Sequence, residues 1–240
     1  ENIIDDMYKI NKVKVTDENI NKAIKLYNTN RELIETIYNI RQESPWRLSA
    51  VDTYHILRAG LVIPVEEHNK ILEQVVAHIS KERGEAMDNI RVVVSGSFCE
   101  QPPIGLIKSI EMAGCYIVDD DFMLGSRWIQ GGILANSENP IGALAEAYLN
   151  QSSFASCYYD VGNPKGKRLV QLAKQRKADG VIFCAASFCD PALLDRPEMQ
   201  KECDAAGMLH INFQYHENTG QFKVIKEQAG TFSDSIKLWA

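Results

Sequence analysis

The run Gly180-Val181-Ile182-Phe183-Cys184 does most to limit what this chain can fold into. It is apolar throughout, without polar alternation, as expected of a parallel strand buried on both faces. Such a strand needs helices on each side, and the chain supplies them in alternation with three further apolar runs. These are Arg91-Val92-Val93-Val94-Ser95-Gly96, Cys115-Tyr116-Ile117-Val118 and Met208-Leu209-His210-Ile211-Asn212-Phe213. Between the first two, Ile104, Ile107 and Ile110 mark a helix that Gly114 stops, a β-α-β unit for which parallel pairing is expected. Asn139-Pro140 and Asn163-Pro164 have the N-cap then N1 order. They start helices with apolar faces at Ile141, Leu144 and Tyr148 and at Leu169 and Leu172. Asp195 with Pro197 opens another helix, closed by Gly207, and a last one runs from about Gln221 to Trp239. The expected fold class is α/β: a doubly wound, mainly parallel four-stranded sheet.

A helical segment precedes the sheet. From Thr16 to about Arg41, Ile20, Ile24, Tyr27, Ile34, Ile37 and Tyr38 form an apolar stripe on a long amphipathic helix, with Asn28 and Asn30 as candidate interruptions. Ser49-Ala50-Val51-Asp52 reads as a capping box opening a short helix that Gly60 closes, and Pro64 opens the next, to about Lys81. The expected division is a helical segment over 1–86, linking to a domain upstream, and an α/β domain over 87–240. The chain starts at Glu1 and leads almost directly into a helix, so a fragment or processed chain is expected.

At 240 residues the chain can bury a full core, and its 24% charged and 45% hydrophobic composition is ordinary for a globular protein. A net charge of -6 gives no general attraction to nucleic acid or anionic membrane. No apolar run approaches the roughly 20 residues that span a bilayer, and no secretion signal is visible, so the cytoplasm is the default. Six cysteines, at 99, 115, 157, 184, 189 and 203, are widely spread without a C-x-x-C pair, which argues against disulfide scaffolding.

Strand C-terminal ends in such a sheet share one edge, where ligands gather. That edge carries Ser95-Gly96-Ser97-Phe98-Cys99, Asp119-Asp120-Asp121, Ser187-Phe188-Cys189-Asp190-Pro191 and Gln214-Tyr215-His216-Glu217. The Gly96 loop offers N–H groups and hydroxyls to a phosphate, or is simply a strand-to-helix turn; no G-x-G-x-x-G or P-loop pattern is present. Three aspartates suit Mg²⁺, but adjacent residues on an extended chain diverge, so a solvated loop with one Asp facing the pocket is the plainer reading. Arg127 is placed to neutralise such an Asp or to grip a phosphate. Cys115, Cys184 and Cys203 read as buried, inert thiols, whereas Cys99 and Cys189 lie past strand ends, open to metal ligation or nucleophilic chemistry. His210 reads as a core or edge histidine and His216 as freer to act.

Several segments together carry a resemblance. Ala178-Asp179-Gly180-Val181-Ile182-Phe183, the Ser187 to Pro191 turn and Asp195-Arg196-Pro197 resemble the C-terminal domain of the 2-hydroxyacyl-CoA dehydratase and benzoyl-CoA reductase family. Asn28 to Arg31, Ser95-Gly96-Ser97 and Asp120 to Arg127 are similar to further stretches of that family. The C-terminal run from Glu217 to Trp239 is especially similar to cluster-bearing benzoyl-CoA reductase subunits of the B or C type. The resemblance implies a [4Fe-4S] cluster held by three cysteines, of which only Cys189 lies at a matching position; the other ligands are expected upstream of this chain. Met123 stands where many relatives have a cysteine.

The resemblance further implies an ATP-driven activator subunit, the sole ATP-binding partner, that passes single electrons to clusters beside an acyl-CoA thioester. A homologous cluster-bearing subunit is the other partner. On this reading Cys189 fixes one iron; Ser97, Cys99 and Arg127, from their places past the strand ends, are the candidates for lining the substrate pocket. The implied activity is reduction of an aromatic acyl-CoA, with radical dehydration of a 2-hydroxyacyl-CoA as the alternative. A noncatalytic small-molecule-binding or assembly module is the competing class, since the fold alone permits it.

Overall fold

The computed structural model describes residues 2–81, 84–96, 102–153, 162–216 and 221–239. Its centre is a four-stranded sheet, all parallel, in the order β2-β1-β3-β4. The strands are β1 (Ile90–Ser95), β2 (Cys115–Asp120), β3 (Gly180–Ala186) and β4 (Leu209–Tyr215). Helices α1 (Asn2–Asn11), α2 (Asp17–Glu43), α3 (Ala50–Ala59) and α4 (Val65–Ile79) precede the sheet. Helix α5 (Ile104–Glu111) connects β1 to β2. Helices α6 (Pro140–Asn150) and α7 (Lys165–Gln175) lead to β3, α8 (Asp190–Ala205) to β4, and α9 (Phe222–Trp239) ends the described chain.

Side-chain alternation along β1 divides the core in two. Val92 and Val94 pack with Ile117, Ile182 and Phe213 beneath α5 and α9, in a cluster that extends without a break into Ile34, Tyr38, Leu57 and Leu72 of the helical segment. Val93 faces the other way, joining Val118, Val181 and Phe183 beneath Leu169, Ala173, Met199 and Cys203 of α7 and α8. Each such aliphatic side chain, fully buried, contributes roughly 1.5–3 kcal/mol. Helices on both faces make the sheet doubly wound. The chain leaves β1 toward β2 on one side and later enters β3 on the other, so the switch point lies at the C-terminal ends of β1 and β3.

Four local expectations change. Helix α2 runs uninterrupted through Asn28 and Asn30, because both amides are used by tertiary partners. Asn28 bonds both the N–H and C=O of Ile133 at 2.9 and 2.8 Å, and Asn30 donates to Asn69 at 2.8 Å. Asn163 falls one residue too early to cap α7, whose N-cap is Pro164. Helix α8 begins at Asp190 rather than near Asp195, with Cys189 as N-cap, Pro191 in the first turn and Pro197 carried inside the helix. The aspartate run is not a solvated loop: β2 extends through Asp119 and Asp120, and both are buried. The other boundaries agree closely with the sequence reading, including Ser49 capping α3 by accepting from the Asp52 N–H at 3.0 Å.

Candidate functional site

The register of β1 against β2 shifts between Val92 and Val93, so that Asp119 and Asp120 stand opposite Val93 and Val94. Such an irregularity re-aims side chains. Val118 joins the α7 layer and Asp119 also turns toward α7, whereas Asp120 turns toward α2. The three consecutive carboxylates therefore diverge, as extended geometry predicts, and each is taken by protein partners.

Asp119 receives Arg127 Nη1 at 2.8 Å and Arg176 Nε at 2.6 Å. Glu35 of α2 closes this arrangement, 2.8 Å from Arg176 Nη2 and 3.9 Å from Arg127 Nη2. Burial alone would raise the Asp119 carboxyl, but the Arg127 and Arg176 guanidiniums outweigh it and hold the group below its usual range. Asp120 accepts from the Tyr38 hydroxyl at 2.9 Å and from Arg41 Nη1 at 3.3 Å, while Arg41 Nη2 donates to the Ile117 carbonyl on the outer edge of β2. Burial, then the neighbouring Asp120 charge, pushes the Tyr38 phenol up, so the hydroxyl remains a donor. Asp121 accepts from the Gly96 N–H at 2.7 Å and from Ser95 Oγ at 3.2 Å. That bond removes the Gly96 N–H from the phosphate-binding role the sequence suggested; Gly96 instead sits at φ +114 with β3 close by, a Cβ there meeting the Cys184 carbonyl at 3.3 Å.

Asp119, Asp120 and Asp121, with Glu35, Arg127 and Arg176, form one wall of a cleft of about 940 Å³ at the C-terminal edge of the sheet. Arg31 and Glu35 of α2 border it, as do Asp119, Arg127, the Gly131-Gly132 loop, and Lys165 at the start of α7. Ala192 and Met199 of α8 form part of its apolar lining. A cavity of this size suits a small-molecule or cofactor ligand.

Cys189 lies beside this cleft. It is 8% exposed and packs with Ala185 and Ala192, the latter also lining the cleft. Its N–H closes a turn onto the Ala186 carbonyl at 3.0 Å, forcing Phe188 to φ +67 with its ring 91% exposed. A non-glycine residue held there costs about 1–2 kcal/mol. At the opposite flank of the turn Ser187 Oγ meets His216 Nε2 at 3.3 Å. His210 lies on the edge strand β4, 3.0 Å from Asp204 and edge-on to the Phe183 ring.

Of the expected site residues, Arg127 reaches the cleft and Cys189 its margin, while Ser97 and Cys99 lie outside the described residues. Cys115, Cys184 and Cys203 are buried, and desolvation raises all three thiols, Cys115 to about 12 and Cys203 to about 11. Met123 is buried in the main core. Among the described residues no group of three or more His, Cys, Asp or Glu side chains could hold a metal ion, and no helix is long and apolar enough to cross a membrane. The sequence reading passed over Arg41, Arg176 and Glu35. Arg41 carried a signal: it falls at the next position of the stripe formed by Ile34, Ile37 and Tyr38, where a solvated side chain is out of place.

Known proteins are similar to this chain over nearly its whole length. The family model described as 2-hydroxyglutaryl-CoA dehydratase, D-component, matches residues 1–236. The chain is 47% identical over 228 residues to the C-type subunit of the benzoyl-CoA reductase of Thauera aromatica, covering 95% of this chain and 59% of that protein. It is 26% identical over 233 residues to the (R)-phenyllactyl-CoA dehydratase beta subunit of Clostridium sporogenes, covering 97% and 61%. It is 25% identical over 225 residues to the beta subunit of the (R)-2-hydroxyglutaryl-CoA dehydratase of Acidaminococcus fermentans, covering 93% and 59%. The chain thus spans between 59% and 61% of the length of these relatives.

Proposed function

Because the chain belongs to the 2-hydroxyglutaryl-CoA dehydratase D-component family, we propose that it forms part of the C-type subunit of a benzoyl-CoA reductase, acting on an aromatic acyl-CoA thioester. The observation that carries this reading is the identity of 47% to a benzoyl-CoA reductase subunit, against 26% and 25% to dehydratase subunits of similar coverage. On this reading the segment 1–86 joins the α/β domain to a further domain, and the partners are a homologous subunit and an ATP-hydrolysing activator.

The iron-sulfur cluster implied by the family is compatible with Cys189 as one ligand. Its sulfur stands at the N-cap of α8, the electropositive end of a helix, and makes no capping bond. Ala185, Ala192 and the partly buried Leu193 surround it with apolar surface, an environment that tunes a cluster through exclusion of water. One thiol does not hold a cubane, and Cys184, the nearby strand cysteine, is buried with its thiol pushed up, a poor ligand. The remaining thiolates on this reading come from residues upstream of this chain. A bound [4Fe-4S] cluster would supply single electrons at low potential. The turn before Cys189 fixes its approach: Phe188 is strained and exposed, a combination typical of positions where backbone geometry serves a site.

The cleft beside Cys189 is the proposed seat of the thioester, with Arg127 as a wall residue; Ser97 and Cys99, outside the described residues, are further substrate-binding candidates. Asp119, Glu35 and the Tyr38 ring hold Arg127 in place. The test is anaerobic iron and sulfide analysis of the full-length subunit with its partner, comparing Cys189→Ala with the parent. The variant is expected to lose iron and sulfide; unchanged content rejects the ligand assignment. Incubation of the reduced complex with benzoyl-CoA and with a 2-hydroxyacyl-CoA then separates the two activities, and dehydration without ring reduction rejects the reductase reading.

A further inference from the structure

The cleft arginines differ in how their charge is used. Arg127 and Arg176 are both committed to Asp119 and Glu35. Arg31 is not. Its Nε donates to the Gly131 carbonyl at 3.0 Å and its Nη2 to Asn28 Oδ1, both neutral acceptors. Two of the five guanidinium N–H donors are thereby used, and the other three have no protein acceptor among the described residues. No carboxylate among those residues forms an ion pair with it, and its sequence neighbour Glu32 supplies only a longer-range field. Burial accordingly lowers the Arg31 pKa, Glu32 opposing only in part. A half-buried guanidinium with no carboxylate partner among the described residues keeps its charge available to an anion entering the cleft.

The loop facing it is built to admit one. Gly131 and Gly132 both line the cleft. A Cβ at Gly131, which sits at φ +81, would meet nothing within 4 Å, and one at Gly132 would meet only the Asn28 amide at 3.9 Å. The backbone is therefore bare on that side, and neither N–H has a protein acceptor among the described residues. Two consecutive glycine amides beside a guanidinium fork have the composition of an oxyanion cradle. Asn28, one turn before Arg31, clamps Ile133 and so keeps the loop against α2.

We propose that Arg31, with the Gly131-Gly132 backbone, anchors a phosphoryl group of the CoA moiety in this cleft, an inference that rests on the acyl-CoA reading above. The role suggested for Arg127 by its position in the sequence thus passes to Arg31, while Arg127 shapes the wall.

The experiment is calorimetric binding to the full-length subunit in its complex, using benzoyl-CoA, S-benzoyl-pantetheine, which lacks every phosphate, and inorganic phosphate. Arg31→Met is expected to weaken benzoyl-CoA about tenfold or more, the range for a lost charged hydrogen bond, and to leave S-benzoyl-pantetheine within about twofold. Arg31→Lys, which keeps the charge on a flexible stem, is expected to lose less than Arg31→Met; it also serves if the methionine variant does not fold. Equal losses on both thioesters would mean that Arg31 acts only by clamping its loop, and would overturn the proposal. So would unchanged benzoyl-CoA affinity in both variants, or inorganic phosphate binding the parent as tightly as benzoyl-CoA. Failure of the parent to bind either thioester overturns the acyl-CoA reading itself, whereas equal binding of both overturns the phosphate anchor alone.

Discussion

The Arg127 guanidinium lies 3.6 Å from the centroid of the Tyr38 ring, stacked on a side chain whose hydroxyl serves a different carboxylate, Asp120. One tyrosine therefore separates two adjacent acids that share the end of β2 but belong to different ionic groups. Asp119 ties Arg127, in the short helical turn Leu124–Arg127, to Arg176 at the end of α7, and Glu35 brings in α2. Four separate elements meet at one fully buried carboxylate. Removing it leaves the two guanidiniums with the half-exposed Glu35 as their shared carboxylate partner. Asp119→Ala is expected to destabilise the protein by about 3–5 kcal/mol, the range for breaking a buried pair by one partner. Asp119→Asn, which retains an acceptor, is expected to cost less. Urea unfolding of both variants checks the order.

Acid sensitivity follows from the same carboxylate. Its folded-state pKa is depressed, so the stability it contributes is fully present above the unfolded-state value of about 3.9 and is lost as pH falls through the folded value. The parent protein is expected to lose unfolding free energy on acidification below about pH 4, and Asp119→Asn to lose less over the same interval. Parallel slopes for the two proteins would show that Asp119 titrates normally.

The sheet was legible because parallel strands buried on both faces leave an unbroken apolar record, as in Val181-Ile182-Phe183. Helix starts were legible where an N-cap and a proline stood together, as at Asn139-Pro140. The start of α8 was less legible: Asp195 with Pro197 reads as an opening, because a proline inside a helix removes a backbone bond and normally marks an end. Here tertiary contacts carry α8 past it: Met199 and Cys203 are in the core beneath β3. The site was less legible. Nothing near Asp119 and Asp120 in sequence announces partners at Arg176 and Arg41, 57 and 79 residues away. Their burial depends on contacts that exist only after α2 and α7 have docked on the edge of β2. Arg31 is a similar case, since an arginine's lack of a counterion is a property of its folded surroundings.

The buried thiols predict alkaline sensitivity. Desolvation raises Cys115 to about 12 and Cys203 to about 11, above the ordinary value of about 8.5. For a group whose folded pKa is raised, the stabilising contribution is complete below the unfolded value and declines as pH rises toward the folded one. Stability is therefore expected to fall between about pH 8.5 and 11. Over that range Cys115, Cys184 and Cys203 are expected to resist iodoacetamide in the native protein and to react once unfolded in urea, with mass spectrometry as the readout. Rapid native-state alkylation of any of the three would contradict its assigned burial.

Gly166 tests the packing that carries Cys189, and Gly230 serves as its control. Gly166 in α7 lies where a Cβ would approach the Cβ of Glu202 at 2.8 Å and the Cα of Met199 at 2.9 Å, both on α8. The Met199 contact involves backbone, so relief requires α7 and α8 to separate. Gly166→Ala is expected to destabilise by about 1–3 kcal/mol, the usual range for overpacking. Gly230, inside α9, has nothing within 4 Å of its Cβ position. There the helix propensity of alanine acts alone, and Gly230→Ala is expected to stabilise by up to about 1 kcal/mol. Denaturant midpoints of the two variants should therefore move in opposite directions. A stabilising Gly166→Ala would mean that α7 and α8 are not in the close contact described, and that the α8 N-terminus bearing Cys189 is less firmly seated against the cleft.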